Sequence, residues 1–142
     1  MKKLLFLITL VVGLCTVSCN NKTEAGPQGE DAVKTICMFL NETAETVYPS
    51  DSTAVEEHRQ NAKALLKDFS KIMEQDNSGY QLSQSEKESL NDAFLNFASS
   101  MSKAQGTSLT DEETIQFSAI AFQSNTLQDY TRFLEQVTTA IQ

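Results

Sequence analysis

A chain of 142 residues with 19 acidic against 11 basic side chains carries a formal charge of −8. That charge excludes nucleic acid as a partner, because binding it depends on clustered Lys and Arg neutralising phosphates. The same sign opposes adhesion to anionic lipid. With three cysteines and one histidine, the chain can build neither a regularly spaced four-ligand zinc site nor a disulfide framework, so its core must hold it together.

Lys2 and Lys3 open the chain, and the run from Leu4 to Leu14 is uncharged, interrupted only by Thr9 and Gly13. This is a charged n-region followed by a short apolar h-region. A bilayer-spanning helix needs about 20 apolar residues, whereas polar residues begin here at Thr16. Residues 1–18 are therefore predicted to be a signal peptide, with small residues Thr16 and Ser18 suited to cleavage before Cys19.

Val17, Ser18 and Cys19 resemble the lipobox of bacterial lipoproteins, with Thr16 standing where leucine is usual. The resemblance implies a thioether-linked diacylglycerol on Cys19, cleavage just before it, and acylation of the new amino group by a chain such as palmitate. It also implies the cell envelope as location. Asn20, in place of an aspartate after the cysteine, points to the outer membrane, with the domain facing the periplasm or the exterior. Plain secretion is the expectation if Cys19 is not lipidated. Removal of residues 1–18 leaves 124 residues with nine basic and nineteen acidic side chains, a formal charge of −10. Attachment to a membrane then has to come from acyl chains. The cysteine and histidine left over, Cys37 and His58, cannot make an internal disulfide or a metal centre.

Residues 19–29 follow as the lipidated cysteine and a polar tether containing Gly26, Pro27 and Gly29. The bundle domain is expected over 30–142. Val33, Ile36, Leu40, Thr43 and Val47 set a helical stripe, opened by acidic Glu30 and Asp31 and closed by Tyr48-Pro49. A second stripe runs Val55, His58, Ala62, Leu65, Phe69 and Ile72, flanked by Leu66 and Met73, with Asp51 or Ser52 as its cap. Leu82-Ser83-Gln84-Ser85-Glu86 and Leu109-Thr110-Asp111-Glu112-Glu113 both read as a staple residue followed by a capping box. The third stripe is Leu90, Phe94, Phe97, Met101 and Ala104, ended by Gly106. The fourth is Ile115, Ala119 and Phe122, then Leu127, Tyr130, Leu134, Val137 and Ile141, either continuous or broken near 123–126, where Thr126 could cap a fresh start. No segment alternates as a strand would. The predicted class is all-α, an antiparallel bundle of four helices joined by short loops.

Few residues propose chemistry. The stretch from Glu74 to Glu86 invites comparison with a calcium loop, but Ser85 holds the twelfth position and Glu86 falls one place late, so a helix end followed by a capped helix accounts for it. His58 lies on an apolar stripe with no catalytic partner in reach of its own helix. Cys37 sits beside the first stripe as a small buried hydrophobe. Glu42 and Glu45 lack the Glu-x-x-His pairs of di-iron bundles. Arg59, Lys63, Lys67 and Lys71 form a basic row that winds about 120° around its helix. Its neighbours Glu56 and Asp68 can neutralise it, and an anionic glycan or an acidic face of an envelope protein is its candidate partner. No catalytic residues, cofactor or metal are expected. The sequence thus predicts a membrane-tethered lipoprotein whose small acidic helical domain is an interaction or structural module. A bundle with an apolar ligand pocket between its helices is the alternative.

Overall fold

A computed structural model of the chain describes residues 27–75 and 79–139; the expected signal peptide, Cys19 and most of the expected tether lie outside them. Five helices pack against one another: α1 (Glu30–Val47), α2 (Val55–Glu74), α3 (Gln84–Ala104), α4 (Asp111–Gln123) and α5 (Leu127–Thr139). No strand occurs among the described residues, only an isolated antiparallel bridge between Gln81 and Thr126. None of the described helices is long and apolar enough to cross a membrane.

Most boundaries follow from local chemistry. The Asp51 side chain accepts from Thr53 N at 2.9 Å and caps a 3-10 turn, Ser52–Ala54, that leads into α2. At α3 the capping box is complete: Ser83 Oγ accepts from Glu86 N at 3.2 Å and Glu86 Oε1 accepts from Ser83 N at 2.9 Å. Gly106, at φ 78°, ends α3 in a Schellman motif, its N–H donating to Lys103 O while Thr107 N donates to Ser102 O. Thr110 Oγ1 accepts from Glu113 N to start α4.

The fourth stripe is broken rather than continuous. Ser124 turns to extended backbone and its hydroxyl donates to Ile120 O at 2.9 Å, a local bond that competes with helix propagation. Thr126 then opens α5 reciprocally, its hydroxyl accepting from Asp129 N while the Asp129 carboxylate accepts from Thr126 N.

The order of contact is α2–α1–α3–α4, with α2 and α3 scarcely touching. Short loops are expected to place consecutive helices side by side; the segment 79–83 instead crosses the start of α1. The Tyr80 ring lies over Gly29, where an added Cβ would come within 3.3 Å of it, and Gly29 has φ 61°. This is a position only glycine fits without strain. Leu127 N donates to Tyr80 O and Leu82 N to Asn125 O, each at 3.0 Å, which ties the crossing strap to the α4–α5 break. Consequently α1 and α3 are neighbours running in the same direction, joined on their surface by Asn96 Nδ2 donating to Asn41 Oδ1 at 3.0 Å.

The core takes Val33, Ile36 and Leu40 from α1, Ile72 from α2, Leu90, Phe94, Phe97 and Met101 from α3, and Leu127, Tyr130 and Leu134 from α5. On α2, Leu66 is buried while Leu65 and Phe69 are half-buried, and Ala104 is exposed at the end of α3. The clearest departure is on α4. Ile115 and Phe122, expected on its core stripe, are 68% and 39% exposed, and Phe117 and Ala121 turn inward. With Phe117, Ala119, Ile120, Ala121 and Phe122 in thirteen residues, α4 is apolar nearly all round. Periodicity therefore cannot choose its buried face, and packing against Phe94 does, with ring centroids 5.2 Å apart.

Candidate functional site

The lone histidine finds its partner on another helix. His58 Nδ1, on α2, lies 2.5 Å from Glu42 Oε2, on α1, with both side chains about a quarter exposed. The hydrogen bond to Glu42, followed by the negative charges of Glu42, Glu45 and Glu57, raises the His58 pKa above its ordinary value. Among the described residues the side chain bonded to His58 is the Glu42 carboxylate, not a hydroxyl or thiol that it could activate.

The sign of its pH effect follows from linkage. A raised folded-state pKa stabilises fully below the unfolded value, about 6.5, and the contribution disappears as pH rises through the folded value. Glu45, Asp51 and Glu56 behave oppositely: hydrogen bonds lower their pKa values, so their contribution is lost in acid. Urea midpoints should therefore decline from pH 6 to pH 8, below the range where the raised Cys37 thiol adds its own decline, and Glu42→Gln should remove that decline. A slope that persists in Glu42→Gln would assign the effect elsewhere.

The other polar candidates are similarly engaged. Glu45 accepts from Ser50 N at 3.0 Å and Ser50 Oγ at 2.7 Å, closing the turn after α1. Of the basic row, Arg59 pairs with Glu56 at 2.6 Å. Lys63 and Lys67 are exposed and Lys71 is half-buried, so the row straddles an edge of α2 and forms no single patch. Cys37 is half-buried, and burial, followed by the charges of Asp92 and Glu86, pushes its thiol up to about 11, which keeps it protonated at neutral pH. Among the described residues no group of three His, Cys, Asp or Glu side chains is placed to hold a metal ion. Glu86, the displaced calcium-loop residue, accepts instead from Ser83 N and from Tyr80 Oη at 2.8 Å. Asp76 and Ser78 of that loop, and the lipidation residue Cys19, lie outside the described residues.

What the sequence did not reveal is a groove of about 380 Å³ between the first halves of α1 and α3. Val33, Cys37 and Met38 form one wall and Ser85, Glu86 and Ser89 the other; the lining is mainly apolar and the groove opens to solvent. At its mouth Lys34 pairs with Glu30 at 3.2 Å. Met38 is 54% exposed although apolar. Its position off the α1 stripe is the only signal the sequence held. The pairing of α1 with α3 that makes the groove depends on the Tyr80 strap, a tertiary feature.

No protein-family model matches the chain, and no curated protein or solved structure matches it.

Proposed function

We propose that the protein is a bacterial envelope lipoprotein, anchored through lipid on Cys19, whose acidic helical domain serves as an interaction or structural module at an outer-membrane surface. The apolar run ending in Val17-Ser18-Cys19 carries this reading. The described start of the domain agrees with it. Pro27 O and the Gln28 side chain are both bonded by Gln75, so the tether enters at the pole where α1 and α3 begin. Eight Cα steps separate Cys19 from Pro27, a reach of at most about 29 Å, and that pole is held toward the bilayer. On this reading α4 and α5 together fill the fourth place of a four-helix bundle. His58 and Cys37, the side chains best suited to catalysis, are used for packing and helix pairing, which supports a module over an enzyme.

The ligand-binding alternative draws on the α1–α3 groove, whose volume falls in the range of small-molecule sites. The phenylalanines do not form it. Phe39 stacks on Phe69 at 4.5 Å, and Phe94 meets Phe97, Phe117 and Phe133 at 6.1, 5.2 and 5.6 Å.

Mass spectrometry of the membrane fraction tests the anchor: the chain should begin at an acylated Cys19, and Cys19→Ser should move it to the soluble fraction. Unchanged envelope fractionation of Cys19→Ser would remove the proposal.

A further inference from the structure

We propose that the α1–α3 groove docks a basic, apolar polypeptide segment, its Leu- or Met-sized side chains entering the slot between Val33 and Ser89 and its Lys or Arg side chains meeting Glu86. This deepens the interaction-module reading by naming the face and the partner's chemistry.

Charge selects the occupant. Two carboxylates line the slot, Glu86 in its wall and Glu30 at its mouth, and the charge of Asp92 also reaches Cys37. Among the described lining residues Lys34 and Glu30 neutralise each other as a pair, which leaves the Glu86 carboxylate as the net charge of the slot. Glu86 is also held in place. Ser83 N binds one of its oxygens and Tyr80 Oη the other, and these bonds help keep its pKa low, so it presents a fixed negative charge. A preorganised anion loses little freedom when a cation arrives, and the aliphatic stem of Lys or Arg can cover Val33 and Met38 while its head reaches the carboxylate. Met38 adds an adaptable apolar rim. An acidic or phosphate-bearing ligand would meet repulsion at the same place, and the overall negative charge of the chain steers basic partners toward it. The groove lies at the tether pole, within reach of basic segments that flank membranes.

The probe is a fluorescein-labelled hexapeptide amide, Lys-Leu-Met-Arg-Leu-Lys, with Glu-Leu-Met-Glu-Leu-Glu as control. Anisotropy is read on the full chain, both as recovered from cells into phosphatidylcholine nanodiscs and as Cys19→Ser. Cationic peptide should bind both forms and the anionic peptide neither. Ser89→Trp, at an exposed position, fills the slot and should weaken binding by about tenfold or more. Glu86→Gln keeps a residue that a capping box accepts while deleting the charge, and should remove most of the salt dependence. Alkylation of Cys37, followed by peptide mass spectrometry, should slow when the peptide is bound. Failure of the cationic peptide to bind, equal binding of both peptides, or unchanged affinity in Ser89→Trp and Glu86→Gln would each overturn the proposal. A soluble wild-type chain that nevertheless binds the peptide would count against the anchor alone, and a membrane-bound chain that does not would count against the groove alone.

Discussion

Phe94→Ala should cost the domain about 3–5 kcal/mol of stability, the range for removing a large aromatic side chain from a packed core. Phe94 is 4% exposed, and its ring meets one aromatic within α3 and one each on α4 and α5. Deletion therefore removes transfer free energy and also the shared contact that holds α4 and α5 to α3. Small domains have only about 5–15 kcal/mol of stability in total, so the urea midpoint should fall steeply and α4 and α5 should exchange their amide protons first. A loss under about 1.5 kcal/mol would mean that neighbouring side chains collapse into the space and that Phe94 is not the hub its ring contacts indicate.

Tyr130→Phe should act in the opposite direction, raising stability by about 1 kcal/mol. Tyr130 is completely buried, and its hydroxyl has no hydrogen-bond partner among the described residues. Burial, followed by the nearby Cys37, pushes its ionisation far above the ordinary tyrosine value, so the group stays a neutral, desolvated hydroxyl. An orphaned buried donor forfeits the hydrogen bond it made to water, and replacing it with an apolar edge of nearly the same shape is favourable. The ring itself must stay, since it packs on Phe133 at 6.0 Å. Equal or lower stability of Tyr130→Phe, measured by urea unfolding at pH 7, would show that the hydroxyl is satisfied and the gain is not there to be had.

The helices were legible in the sequence wherever one apolar stripe dominated and the ends carried their own chemistry. α1 begins at Glu30 and stops before Pro49, and α3 runs from its Ser83 box to Gly106, as composition and spacing require. α4 was legible as a helix and illegible in orientation, because apolar side chains cover most of its circumference and the choice falls to a distant ring on α3. The arrangement of helices was harder still. A connection read as a short turn passes over Gly29, and nothing local in Gly79-Tyr80-Gln81-Leu82 says which helix it will cross. The groove inherits that opacity: Val33 and Ser89 are far apart in sequence and become neighbours only once α3 is carried past α2. His58 is legible as a residue of the α2 stripe, but its partner Glu42 is one of nineteen acids and its selection depends on the α1–α2 register.

The Tyr80 strap has a mechanical consequence. Force arriving along the polypeptide from its N-terminal side reaches Pro27 and Gly29 before it reaches the first turn of α1, and there the backbone lies beneath an aromatic ring and beside Gln75. Tension is thereby shared with the end of α2 and, through Leu127 N and Asn125 O, with the start of α5. A domain pulled from this side is thus loaded across several helices at once instead of being unzipped from its leading end.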